Sequence, residues 1–100
     1  MIATCIRFYL PKTTDWKAMR ELMVQRAALY NDVPGLRSKA FVLNPESGEY
    51  GGNYVWDTRK AFDAFLRSDL YLGAVKKLGQ PQEVKIYEVP AYVDNPSVVV

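Results

Sequence analysis

Apolar and polar positions alternate from Ile2 to Leu10, the period-two pattern of a half-buried strand. Ile2, Thr4, Ile6, Phe8 and Leu10 share one face, and Ala3, Cys5, Arg7 and Tyr9 share the other. Both faces carry apolar residues, so both are expected to be at least partly covered. Pro11 ends the strand, and the period then changes. Trp16, Met19, Met23, Ala27 and Tyr30 recur at helical spacing, with Leu22 and Leu29 widening the stripe. Thr13, Thr14 and Asp15 are N-cap candidates, so a helix is predicted over 15–30. At roughly 24 Å it matches the span of a seven- or eight-residue strand. The run Asn31-Asp32-Val33-Pro34-Gly35 then breaks the helix and turns the chain.

A second strand is predicted over 36–43, with Leu36, Ser38, Ala40 and Val42 on one face and Arg37, Lys39, Phe41 and Leu43 on the other. The stretch from Asn44 to Gly48 has turn chemistry throughout and predicts a hairpin. The third strand, about 50–57, carries Tyr54 and Trp56 on one face and Asn53 and Val55 on the other; Gly51-Gly52 reads as a turn before Asn53. Asp57 or Thr58 caps a helix with Ala61, Phe62, Phe65 and Leu66 as its apolar stripe. Ser68-Asp69 starts a further helical piece, with Leu70, Ala74 and Leu78 on one side and Tyr71 and Val75 beside them. Gly79-Gln80-Pro81 stops it, and a fourth strand follows over 83–89.

The predicted order is β-α-β-β-α-β, an α+β ferredoxin-like arrangement with an antiparallel sheet, forming one domain over 1–100. Helices on one side leave the opposite sheet face bare, and that face is too apolar to stay wet. A two-fold homodimer with sheet packed on sheet is the expected remedy. The tail over 91–100 is expected to contact the partner subunit, its last three residues, all valines, either adding to the partner's sheet edge or lying loose.

Composition narrows the function classes. With 49% hydrophobic and 13% aromatic residues the chain can build a core. The net charge is +2, and no basic run exceeds two residues, which argues against a nucleic-acid surface. No apolar run approaches membrane-spanning length. The single cysteine, Cys5, rules out an internal disulfide and a cysteine-based zinc site, and a reducing cytoplasm is the expected location. Histidine is absent, which removes the usual base near neutral pH and the commonest metal ligand. Proton chemistry must use Lys, Tyr, Asp, Glu or Cys, or a substrate acidic enough to ionise by itself.

The run PGLRSKAFVLNPESGEYGGNYVWDTRKAFDAFL, with a later strand ending near EVP, resembles the YdhR-type monooxygenases of the dimeric α+β barrel superfamily, which also holds the antibiotic-biosynthesis monooxygenases. The resemblance covers roughly 7–95 and is most specific at Pro34-Gly35, at GEYGG and from Trp56 through Ala61. It implies a homodimer, a cavity between sheet and helices, and oxygenation of a small aromatic or polyketide-like substrate with no cofactor and no metal. On that reading Asn53, Arg7 and Tyr71 are the catalytic candidates. Ile6, Phe8, Tyr54, Trp56, Phe65 and Val75 are the substrate-binding candidates. Haem-degrading relatives carry Trp where this chain has Phe65, His where it has Val75, and Asn near Ile6, so haem chemistry is not expected.

Each candidate also has a plainer reading. Tyr54, Trp56 and Phe65 suit ordinary packing, and Asn53 suits a turn. Arg7 and Lys39 either stabilise an anionic substrate or pair, across the sheet or the dimer, with Glu83 or Glu88, the pairing being preferred. The competing functions are a non-catalytic or isomerase-like homodimer that binds a small ligand, and a purely structural dimer whose aromatics fill its own cavity.

Overall fold

Four strands form one antiparallel sheet in the computed structural model, which describes residues 1–95. They are β1 (Ile2–Tyr9), β2 (Leu36–Asn44), β3 (Glu49–Trp56) and β4 (Glu83–Glu88), in the spatial order β2-β3-β1-β4. Three helices, α1 (Trp16–Arg26), α2 (Arg59–Phe65) and α3 (Asp69–Leu78), complete the ferredoxin-like α+β fold. The C-terminal valines, assigned above to a partner's edge or a loose end, lie outside the described residues.

Caps set the helix boundaries. The Asp15 carboxylate accepts from Ala18 N at 3.1 Å, and Thr58 Oγ1 accepts from Ala61 N at 3.1 Å. Ser68 works at both ends of a break: its hydroxyl donates to Phe65 O at 2.6 Å and accepts from Tyr71 N at 3.3 Å. It thereby closes α2 and opens α3 within one turn. The helix predicted over 15–30 is α1 followed by a tighter 3-10 turn, Ala27–Tyr30. Such tightening is common where a helix ends.

Register differs from simple alternation in two places. A bulge between Leu36 and Ser38 puts Leu36 opposite Trp56, and Leu36 packs on the core instead of sharing Ser38's face. Gly51-Gly52, read above as a turn, lies within β3, where Gly52 pairs with Ile6 on one side and Phe41 on the other. The turn itself is made by Gly48, at φ +80°, whose N–H donates to Asn44 O.

The core lies between the sheet and the helices. Thr4, Ile6 and Phe8 from β1 and Tyr50, Tyr54 and Trp56 from β3 face Met23 of α1 and Phe62 and Phe65 of α2. Phe65 is the hub of the aromatic set, with ring centroids 5.2 Å from Trp56, 5.4 Å from Tyr71, 5.6 Å from Tyr54 and 6.1 Å from Tyr30. Gly35, at φ +75°, presses so closely on α2 that a Cβ there would collide with the Ala61 side chain. Its carbonyl accepts from Asp57 N at 2.8 Å. Pro34-Gly35 and the Trp56–Ala61 stretch are thus two halves of one contact.

Trp56 is fully buried, and its Nε1–H donates to Thr4 Oγ1 at 3.0 Å; Thr4 itself is 1% exposed. This bond ties β3 to β1 inside the core, where an unpaired N–H is costly. Thr4→Val keeps the shape but removes the acceptor, and is expected to destabilise the fold by about 1–3 kcal/mol in urea unfolding. The loss should shrink toward zero in a Trp56→Phe background; an equal loss there would show that the bond is not its source.

Candidate active site between the sheet and the helices

A cavity of about 80 Å³ opens on the helix side of the sheet. Its floor holds Ile6 and Phe8 of β1, Lys39 and Phe41 of β2, and Tyr50 and Tyr54 of β3. Met19, Leu22, Arg26 and Tyr30 come from α1 and its 3-10 extension, and Tyr71, Ala74, Lys77 and Leu78 come from α3. Ser68 places Tyr71 in the first turn of α3, at the cavity wall.

The charge of this lining is one-sided. Arg26, Lys39 and Lys77 contribute to it, and among the described residues no carboxylate does. The chain as a whole carries 13 basic and 11 acidic residues, so the local excess reflects arrangement and not composition. Four tyrosines share the lining. Burial pushes the pKa values of Tyr30, Tyr50, Tyr54 and Tyr71 upward, so all four stay protonated and able to donate at neutral pH.

Lys39 is the unusual member. Its Nζ lies 3.4 Å from the ring centroid of Tyr30, 3.8 Å from that of Phe41 and 4.7 Å from that of Tyr54. Gly52 makes the room, because a Cβ there would meet Lys39 Cε at 2.9 Å. The lysine stem thus occupies space that a side chain on β3 would need. Desolvation, with the nearby Arg26 charge adding to it, pushes the Lys39 pKa down from its ordinary value to about 7. The ring faces pull the other way, toward the ammonium. Both forms are therefore populated near neutrality.

The sequence-based candidates fall into three groups. Ile6, Phe8, Tyr54 and Tyr71 line the cavity. Trp56 and Phe65 are packed in the core beside it, and Val75 is half-buried on α3 outside the lining. Arg7 and Asn53 lie on the opposite sheet face. There Arg7 Nη2 donates to Asn53 Oδ1 at 2.6 Å, Nη1 donates to the carbonyls of Ile6 and Gly52 at 3.1 Å, and Nε lies 3.6 Å from Glu49. Arg7 does pair with a carboxylate, but with Glu49 and not with Glu83 or Glu88. Lys39 pairs with no carboxylate among the described residues, so the ion pair expected for it across the sheet is not formed. The signal for Lys39 was present in the sequence: alternation places it with Phe41 and Leu43 on the apolar face of β2.

A wider, shallower groove of about 600 Å³ runs between the turn after Tyr30 and α2. It is mostly apolar, and its hydroxyls on Thr58 and Ser68 are engaged as helix caps. The smaller cavity, with its converging amine, guanidinium and hydroxyls, is the better candidate for chemistry. Among the described residues no group of three or more carboxylate or thiol side chains converges as a metal site would require. Nor is any helix among them long and apolar enough to cross a membrane.

The fold is of the ferredoxin-like α+β class, and the family match makes the chain monooxygenase-like. The chain belongs to the family described as "Putative mono-oxygenase ydhR", whose model matches residues 6–94. Among solved structures, Rv0793 from Mycobacterium tuberculosis is 22% identical, with a TM-score of 0.66 over 96% of this chain and 98% of that one. A "Putative antibiotic biosynthesis monooxygenase" from Nitrosomonas europaea is 17% identical, with a TM-score of 0.71 over 91% of this chain and 100% of that one. A variant of SnoaB, a cofactor-independent oxygenase from Streptomyces nogalater, is 15% identical, with a TM-score of 0.68 over 94% and 97%. At these identities the likeness carries the fold alone. No curated protein matches the chain significantly.

The lowered Lys39 pKa links stability to pH. Between about 7 and the ordinary lysine value the unfolded chain binds more protons than the folded one, so folding is favoured as pH rises through that window. Raised tyrosine pKa values reverse the trend only above about pH 10. The wild-type melting temperature is therefore expected to gain on that of Lys39→Met between pH 7 and 9, with the variant ahead at pH 6.5. Parallel profiles would show that Lys39 keeps an ordinary pKa.

Proposed function

We propose that the protein is a cofactor-independent monooxygenase that ionises a small aromatic or polyketide-like substrate in the sheet–helix cavity. The observation that carries this reading is the pairing of three cations and four tyrosines with no carboxylate in one apolar cavity. Such a lining favours a substrate that becomes an anion, because its fixed charges and hydroxyls stabilise negative charge as it develops. Membership of a monooxygenase family supports the same class of reaction.

For an activated ring methylene, the neutral Lys39 amine takes one proton and leaves a carbanion, delocalised as an enolate beside Arg26 and the tyrosine hydroxyls. The carbanion transfers its electrons to dioxygen, a carbon–oxygen bond forms, and the Lys39 ammonium returns its proton to give a hydroperoxide. Loss of the second C–H proton with cleavage of the O–O bond leaves a carbonyl and one water. One methylene and one dioxygen are consumed, and no external reductant enters.

Size sets a condition. A dry cavity of about 150 Å³ admits a benzene ring, and this one holds about 80 Å³. A ring-sized substrate therefore requires Met19, Leu22 and Tyr71 to move outward. All three are half-buried, and Met19 is flexible enough to yield. The tight volume also favours a second reading, a homodimer that binds a small ligand without turning it over.

The homodimer belongs to both readings. Arg7 and Asn53 lie on the sheet face without helices, where Tyr9 is 43% and Tyr87 49% exposed. On the helix side of the edge strand β4, opposite Ile6 and Thr4, Val84 is 44% and Ile86 40% exposed. A second copy covering β4 and this face would remove an unpaired, apolar sheet edge from water. In that setting the Arg7–Asn53–Glu49 network braces β3 from behind the cavity, and a reducing cytoplasm suits Cys5, which stays a free thiol.

Light scattering is expected to give about twice 11.4 kDa, and a concentration-independent monomer would overturn the dimer. Oxygen uptake with a panel of anthrones and hydroquinones should exceed the spontaneous rate, and the excess should fall about a hundredfold in Lys39→Met, the low end of the range for a general base. Measurable binding without uptake above background would decide for the ligand-binding reading.

A further inference from the structure

The proposed oxygenase chemistry uses Lys39 as a base, but an amine in this setting is also a nucleophile. We infer that Lys39 captures short-chain oxo acids covalently, its amine condensing with the carbonyl carbon while Arg26 and Lys77 draw in the carboxylate. The inference goes beyond the oxygenase reading and stands or falls without it, because the condensation involves no oxygen.

Three features of the site support it. The first is placement: Lys39 Nζ lies over the faces of Tyr30 and Phe41, with its stem in the space left by Gly52, so the amine is held inside the cavity. Among the lysines of the chain it alone is not exposed. The second is the lack of a carboxylate partner among the described residues, since a salt bridge would hold the amine as an unreactive ammonium. Desolvation in an apolar pocket beside a second cation, here Arg26, is a recognised way to activate an amine. The third is charge, since a short oxo acid has about as many heavy atoms as benzene and the cavity of about 80 Å³ must widen for it too. Two further cations and no carboxylate in the lining select an anionic one.

The groups that share the cavity with the amine supply the remaining proton movements. Arg26 comes from α1, Tyr30 from its extension, Tyr50 and Tyr54 from β3, and Tyr71 and Lys77 from α3. The Nζ lone pair attacks the carbonyl carbon, and the former carbonyl oxygen is protonated by the amine's own surplus proton to give a carbinolamine. That hydroxyl then leaves as water, with a tyrosine hydroxyl lending the proton that the remaining N–H restores. A C=N bond replaces the C=O bond, and one water is released for each acid bound.

Borohydride trapping tests this on the intact protein. The protein is incubated under nitrogen at pH 7 with pyruvate or acetoacetate, reduced with sodium borohydride, and analysed by intact mass and peptide mapping. A single adduct is expected, mapping to Lys39 and exceeding labelling of any exposed lysine by at least about tenfold. It should be absent in Lys39→Arg, which keeps the charge but cannot form the imine. Acetone, which has the ketone without the carboxylate, should label Lys39 at least about tenfold more slowly if two cations select the acid. No adduct at Lys39, or labelling spread evenly over the lysines, would overturn the inference. Equal labelling by acetone would overturn the assignment to oxo acids. Oxygen uptake with anthrones fails or succeeds separately, so the two proposals can be told apart.

Discussion

The register of β3 against β1 is the constraint on which the rest of the structure depends. In a strand, a slip of one residue sends every side chain to the other face. Here the buried bond from Trp56 to Thr4 fixes the pairing, with Thr4 opposite Tyr54 and Ile6 opposite Gly52. That register puts Ile6, Phe8, Tyr50 and Tyr54 beneath the helices and sends Arg7 and Asn53 outward. It also sets Gly52 beneath the helices beside β2, and only an absent side chain there lets Lys39 lie across the sheet. One buried polar pair and one glycine thus decide which cation enters the cavity.

The same arrangement explains why the site is electrostatically unusual while the protein is not. Each arginine with a nearby acid spends its charge locally: Arg7 on Glu49, Arg37 on Asp57 and Arg59 on Asp63. Such exposed or half-exposed pairs add little stability, but they leave the acids outside. What remains within the cavity is positive charge with no counterion among the described residues, next to hydroxyls that hold their protons. Positive charge there favours anions, while burial lowers the pKa of an enclosed amine and raises that of an enclosed phenol. Lys39 is lowered first by desolvation and then by the Arg26 charge.

Much of the fold was legible in the sequence because its signals are local. Alternation located the strands, and Asp15, Thr58 and Ser68 stood where caps belong and serve as caps. Leu36 was misplaced because a bulge is a property of two strands together. Gly51-Gly52 looked like a turn because glycine pairs usually are; here the glycines serve close approach within a strand. The site was less legible. Tyr54, Trp56 and Phe65 all read as inward aromatics, and nothing local says that two of them fill the core while Tyr54 also borders a void. Arg7 and Lys39 both read as mid-strand cations. Which one meets an acid depends on Glu49, which pairs with Arg7 across the β1–β3 ladder only after the hairpin has folded.

The claim at the centre of this account is that Lys39 lies among aromatic rings, poorly solvated and without a carboxylate partner. An NMR titration following the Lys39 side chain, assigned through Lys39→Arg, tests it most directly. A midpoint near 7, well apart from the exposed lysines, is expected. A midpoint at the ordinary value of 10.5 would contradict it, and with it the chemistry assigned to the cavity.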